Sequence, residues 1–526
     1  MEHLNTAIVV AYLVGMLAFG WWGKSRTKNV SDYLVAGRRL GPLFYTGTMA
    51  AVVLGGASTV GGVGLGYTYG ISGMWLVVAI GAGVLLLSVL FASTLQKLKI
   101  YTVSQMLTLR YGTRSTQASS IVMLAYTLML CATSTGAYAT IFVVLFGWER
   151  WVSIAVGGAV VLVYSTIGGM WSITLADMVQ FVIKTVGVFA LMLPFTINAA
   201  GGWDGIRDRV DAEFFSLTGI GAQSIITYFV VYTLGLLIGQ DIWQRVFTAR
   251  TPLIARWGGT AAGIYCILYG VAGAVIGMAA SVVLPAVASK DDVYADVAIS
   301  ILPVGLGGLV LAAAVAAMMS TASGALIAAA TVARADVVPF VAGWFKGRNT
   351  AGSGTQQAAA SPETAENPEH SVAQNRAWVL GLGLVAIGLA IAVQDVVAAL
   401  TISYDILVGG LLVSILGGLV WKRGTGFGAA LSMAAGTAVT LGTMAVLEIT
   451  AEQQYDGIYA NEPIYFGLLA SAAAYIAGSL LTARTDAGVM RAWEDRVAGR
   501  GIPAESGPAE PTPAGPAASI PAGQER

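Results

Sequence analysis

The chain has 526 residues with 28 basic and 28 acidic side chains, so its total charge points to no nucleic acid or other polyanionic partner, and only the distribution of charge is informative. Hydrophobic residues make up 56% and charged residues only 11%, against about 25% charged in ordinary soluble domains, and the mean hydropathy of +0.75 marks a membrane protein. Both cysteines, Cys131 and Cys266, fall in apolar runs, and both histidines, His3 and His370, fall outside them. That leaves no disulfide framework, no metal-ligand spacing and no imidazole for acid–base chemistry in the membrane core.

Thirteen apolar spans are predicted, at about 6–23, 43–66, 72–93, 117–146, 151–168, 173–195, 223–243, 257–284, 299–332, 377–394, 397–421, 427–447 and 463–482. Each is long enough at about 1.5 Å per residue to cross a hydrocarbon core of about 30 Å. The first follows an acidic flank and has no convincing cleavage site, so it reads as a retained helix. Threaded alternately with the N-terminus outside, the inner segments hold all 28 Lys and Arg but five: Arg150, Arg207, Arg209 and Lys290 lie outside, and Lys184 lies within a span. The positive-inside bias predicts an outer N-terminus and a cytoplasmic C-terminus for a multi-pass protein of the plasma (cytoplasmic) membrane. The stretch 347–370 and the Pro/Ala/Gly-rich tail after about 485 are too polar to bury a core and are expected to be disordered.

Two spans break the pattern. In "MAAVVLGGASTVGGVGLGYTYG" (49–70), each of six closely spaced glycines weakens the helix by about 1 kcal/mol relative to Ala. In "YFVVYTLGLLIGQDIWQRVF" (228–247), Gly235 and Gly239 precede Gln240 and Asp241. Single glycines can serve close helix packing, but two interrupted spans five apart suggest an inverted repeat whose unwound carbonyls need a partner. A third anomaly is "LAAAVAAMMSTASGALIAAATV" (311–332). There Ala317, Ser320 and Thr321 stand at i, i+3 and i+4, and could offer a carbonyl and two hydroxyls to a cation unless the hydroxyls bond back to their own helix.

The motifs "DYLVAGRRLG" (32–41), "GGASTVGGVGLGYTYG" (55–70), "GGMWSITLADMVQ" (168–180), "QRVFTAR" (244–250) and "MMSTAS" (318–323) together resemble the sodium:solute symporter family over nearly the whole bundle. The resemblance implies an all-α integral membrane fold, a five-plus-five inverted repeat of the leucine-transporter type with extra helices. The expected organisation is a first helix and basic inner loop (1–42), a first repeat (43–198), an outer loop (199–222), a second repeat (223–421) with a disordered inner loop (347–373), two further helices (422–484) and a disordered tail (485–526). It also implies a sodium site formed by the carbonyls of Ala51, Leu54 and Ala317 and the hydroxyls of Ser320 and Thr321, with Asp177 as a relay on the sodium exit. No cofactor is expected beyond sodium as the coupling ion.

For the solute, an acid within a span is a candidate by its insertion cost of about 2.5–3.5 kcal/mol. Asp405, in "TISYDILVGG" (401–410), resembles the acid of the family's choline-transporting branch. The tryptophans of that branch's ammonium cage are replaced here by Val53 and Gly239, so the cation–π argument for choline fails. A primary amine, polyamine or zwitterionic amino acid fits better, with Ser58, Gln240, Asp241 and Trp243 as further candidates beside the breaks. Lys184 is expected to pair with Asp177, about two turns earlier, or to snorkel. The expectation is therefore a sodium-coupled symporter for a small polar organic solute, in a lipid bilayer, without enzymatic activity. The alternatives are proton coupling or a monocarboxylate solute on the same fold, or an ion channel.

Overall fold

Apolar runs of this length can satisfy their backbone in hydrocarbon only as helices or closed barrels, and the described residues of the computed structural model form helices joined by turns and loops. The described residues are 2–112, 118–287, 289–345, 368–393, 396–452 and 456–500. Of the inner loop expected to be disordered, 347–367 lies outside them, as do the tail beyond 500 and Arg114, Lys346, Arg348 and Arg526, whereas 368–373, also expected to be disordered, begin the helix Pro368–Ala392.

Among the described residues, ten helices are long and apolar enough to cross a membrane, and the bent pair Ala222–Leu236 and Gln240–Thr248 makes an eleventh span. Two of the ten are double. Ala57–Leu98 turns at Gly70 (φ +60°) and Arg150–Ala199 turns at Gly169 (φ +58°), while the shorter apolar helix Pro42–Val53 leads into the first of them. Counted this way, each of the thirteen predicted spans finds a helix.

The helices that build the site are α1 (Glu2–Arg26), α2 (Pro42–Val53), α3 (Gly62–Tyr69, entered through a wide turn at Ala57–Gly61), α4 (Ser119–Phe146), α5 (Arg150–Thr185), α6 (Gln240–Thr248), α7 (Leu306–Val332) and α8 (Val396–Val420). Helix α7 lies at the centre, with its most apolar stretch wholly buried. Its Ala, Gly, Ser and Thr side chains let α4, α5 and α1 approach closely.

The bend in α5 is needed to bring two parts of one helix to the same place. Tyr164 Oη donates to the Met319 carbonyl at 3.3 Å and Ser320 Oγ donates to Asp177 at 2.7 Å. In a straight helix, residues 164 and 177 would be about 20 Å apart. Gly169 supplies the bend with φ +58° and ψ −142°, and a Cβ there would lie 2.6 Å from the Tyr33 ring and carbonyl.

The chain before α2 and the chain after α6 are joined by an isolated parallel bridge, Leu40 N to Thr248 O and Arg250 N to Leu40 O, both 3.1 Å. The tail departs from expectation. Residues expected to be disordered form α9 (Ala487–Val497), whose Trp493 is only 6% exposed. Helix α9 docks because Val489 meets Gly112 and Arg496 Nη1 donates to Leu98 O at 3.2 Å. Composition missed this because α9 buries only one narrow face.

Candidate functional site

The first break begins at Leu54 (φ −90°, ψ 76°), and the chain resumes its helical course at Ala57. A broken helix leaves its last carbonyls without intrahelical donors, and here side chains supply all four. Thr321 Oγ1 donates to Val52 O at 2.7 Å, and Ser58 Oγ donates to Val53 O at 3.4 Å. Lys184 Nζ donates to Ala51 O at 2.8 Å and to Leu54 O at 3.4 Å. Lys184 and Ser320 are fully buried, and Thr321 nearly so. Gly55 allows the approach of α7, since a Cβ there would stand 2.7 Å from Thr321 Oγ1.

Below the break, Asp177 on α5 collects three donors from three other helices. Arg245 Nη2 of α6 pairs with it at 3.0 Å, both side chains being fully buried; Ser320 Oγ of α7 donates at 2.7 Å; and Thr48 Oγ1 of α2 donates as well. The expected pairing of Lys184 with Asp177 is therefore corrected. Arg245 reaches the carboxylate from the second broken helix, and the donor-poor carbonyls of the first break capture the lysine.

Of the five groups expected to bind sodium, Ala51 O and Leu54 O meet at the Lys184 ammonium and Thr321 reaches the same break at Val52 O, while Ser320 Oγ lies on Asp177. Ala317 O lies 3.5 Å from Thr321 Oγ1. The Ala51 and Leu54 carbonyls are occupied by the Lys184 ammonium, while Ser320 and Thr321 spend their protons on Asp177 and Val52 O and keep their oxygen lone pairs.

The second break ends at Gly239, and α6 starts with Gln240 and Asp241. Two of the residues expected to touch solute serve the backbone instead. Gln240 accepts from Val103 N and donates to Tyr101 O, both at 2.9 Å, which uses both ends of its amide. Trp243 is buried with its indole N–H on Leu237 O at 2.8 Å, satisfying a carbonyl the break exposes. Asp241 is different. It accepts from Tyr126 Oη of α4 at 2.9 Å, and the Tyr126 ring meets Tyr404 of α8 edge-on at 5.7 Å.

A cavity of about 40 Å³, room for a few waters, lies between the two breaks. Its polar lining comes from Ser58, Thr133, Ser134, Asp241 and Thr321, its aromatic lining from Tyr232 and Tyr404, and among the described residues Asp241 is its only charged side chain. Asp405 does not line it. That residue is 1% exposed and its carboxylate oxygens have no hydrogen-bond partner among the described residues, while its neighbour Tyr404 faces the cavity. One residue along a helix rotates the side chain by about 100°, enough to exchange cavity for helix interface.

Sequence reasoning missed Arg245, Tyr126 and Thr48. Arg245, within the quoted "QRVFTAR", falls just past the predicted span 223–243 and was counted with the inner basic residues, so nothing marked it as buried. Tyr126 and Thr48 carried no signal, since single Tyr and Thr residues are common in such spans.

A sequence model of the sodium:solute symporter family matches residues 33–341, more than half of the chain. A sodium/proline symporter of Escherichia coli (strain K12) is 26% identical over 348 residues, 62% of this chain and 68% of that protein. A sodium/myo-inositol cotransporter 2 of Mus musculus is 25% identical over 391 residues, 64% of this chain and 57% of that protein. Among solved structures, a Na+-coupled sialic acid symporter in a substrate-bound outward-open state is similar with a TM-score of 0.76 at 16% identity, over 92% of this chain and 98% of that one. The closed conformation of Mhp1, a nucleobase-cation-symport-1 family transporter, is similar with a TM-score of 0.55 at 15% identity, over 89% and 99%.

Proposed function

The chain belongs to the sodium:solute symporter family, a family of transporters rather than enzymes, and on that premise we propose that it imports a small polar organic solute across the cytoplasmic membrane by alternating access. The carrying observation is that both broken helices open onto one cavity whose only charged group among the described residues is Asp241. A low-dielectric site of this kind favours a solute that brings a positive group. The first backbone N–H groups after the other break, at Gly56 and Ala57, favour an anionic group. The two together support a zwitterion or amine-bearing solute, in line with the proline named for one relative, a zwitterion, whereas the myo-inositol named for another is an uncharged polyol. The distribution of Lys and Arg supports an outer N-terminus and a cytoplasmic C-terminus.

Family membership supports sodium as the coupling ion. The ligand set expected for it does not fit a sodium ion as it stands, because the Lys184 ammonium is already on Ala51 O and Leu54 O. A second unit charge about 4 Å away would add repulsion of about 4 kcal/mol at an effective dielectric of 20. The mechanism is therefore derived from the protein's own groups. Asp177 ties α2, α5, α6 and α7 on the side of the cavity assigned to the cytoplasm, so its hydrogen bonds must part or move together before solute leaves inward. Asp177, expected as an exit relay, acts here as a latch.

The test is uptake into proteoliposomes from a panel of amino acids, amines, polyamines and monocarboxylates, with recovery of the transported compound. Saturable uptake of chemically unchanged amine-bearing solute is expected. Asp241→Asn should weaken apparent affinity by about tenfold or more, since a hydrogen bond to a charged group contributes about 1.5–3 kcal/mol. Non-saturable flux would point to a channel, and preferred uptake of a monocarboxylate unaffected by Asp241→Asn would overturn the solute assignment.

A further inference from the structure

The carbonyls of the first break need positive charge or donors, and α5 supplies both from a residue that no relative's name or motif assigned. Lys184 is fully buried, and its Nζ lies 2.8 Å from Ala51 O and 3.4 Å from Leu54 O. These are two of the five groups that the family resemblance gives to sodium. An ammonium is a compact monovalent cation whose three N–H groups point at oxygen lone pairs. The nearby acid does not explain its position, because Asp177 is already paired with Arg245. The lysine answers the oxygen cluster instead, as a monovalent ion would.

From this placement we infer that Lys184 is a built-in cation that takes the place of sodium at this site, so that this chain does not load sodium between α2 and α7. The inference rests on the reading of Ala51, Leu54, Ala317, Ser320 and Thr321 as the family's ion site. Its physical consequence is a change from a dissociable ion to a tethered one. A free sodium links α2 to its neighbours only while it is bound, and its hold depends on concentration. The Lys184 amine is attached to α5 and is present at every turnover, so the link between α2 and α5 does not depend on external sodium. Thr321 donates its proton to Val52 O and makes the connection from α7 directly.

The experiment is binding of radiolabelled sodium to the purified full-length chain in detergent at one neutral pH, with potassium as the balancing cation. Wild type, Thr321→Ala, Lys184→Ala and Lys184→Ala/Thr321→Ala are compared. Wild type is expected to show no saturable sodium binding that Thr321→Ala removes. Lys184→Ala should gain one saturable site per chain, and the added Thr321→Ala should abolish it. Wild-type binding that is lost in Thr321→Ala overturns the inference, and so does a folded Lys184→Ala that gains none. Where Lys184→Ala does not fold, the wild-type melting temperature decides: equal values in sodium and potassium support the inference, and a sodium-specific rise that Thr321→Ala removes overturns it. Because the readout is ion binding, failure here leaves the symport reading intact, and absence of solute uptake leaves this inference intact.

Discussion

Replacing Asp177 by Asn should be among the most damaging single substitutions in the chain. The Arg245 guanidinium is fully buried, and among the described residues its Nε has no hydrogen-bond partner and its terminal nitrogens have, beyond Asp177, only the Met170 sulfur at 2.8 Å. Arginine cannot shed its proton in a protein, so the substitution strands a buried charge, which costs about 3–5 kcal/mol. Asparagine also has one acceptor oxygen where the carboxylate receives Arg245, Ser320 and Thr48. In Asp177→Asn/Arg245→Met the charge is gone, and the coupling energy of the cycle should be about 2–3 kcal/mol. Reversible unfolding in mixed detergent micelles, titrated with a denaturing detergent, measures all four corners. If Asp177→Asn costs less than about 1 kcal/mol, or the two substitutions are additive, then the pair is not the buried, mutually dependent unit described here.

Gly55→Ala should cost about 1–3 kcal/mol and abolish uptake, because its Cβ would meet Thr321 Oγ1 at 2.7 Å. Gly61→Ala, with nothing within 4 Å of the new Cβ, should be neutral or slightly stabilising in the same assay, and equal effects of the two would refute the packing argument. Tyr126→Phe removes the donor to Asp241, and competition uptake should show an altered apparent affinity, with fold and expression retained; an unchanged value would place solute elsewhere. Trp493→Ala should undock α9 and make Arg491 and Arg496 cleavable by trypsin, read as loss of a short C-terminal fragment, whereas an unchanged digest would show that Trp493 does not hold the helix.

Much of the architecture is legible in the order of residues, because hydrocarbon restricts what a chain can do. Apolar runs of membrane length had to be helices, and glycine clusters at 55–56 and around 235–239 marked where two of them stop. The approach of Thr321 to the first break was expected as well, through motifs that resemble one family. The position of Lys184 on its helix was visible, but its partner was not. Spacing along one helix suggested Asp177, whereas the nearest unsatisfied oxygens belong to another helix more than a hundred residues earlier in the chain.

What the sequence by itself determined was therefore the set of helices and where they break, since backbone hydrogen bonding and hydrophobicity act locally. The tertiary structure alone decided which polar groups answer each other. Gln240 and Trp243 turned from solute candidates to backbone partners, Tyr404 took the cavity position expected of Asp405, and Arg245 displaced Lys184 from Asp177. In a medium without water every exposed carbonyl and charge must find a partner within the protein. Which partner it finds depends on how the helices pack, and the order of residues along any single helix does not contain that information.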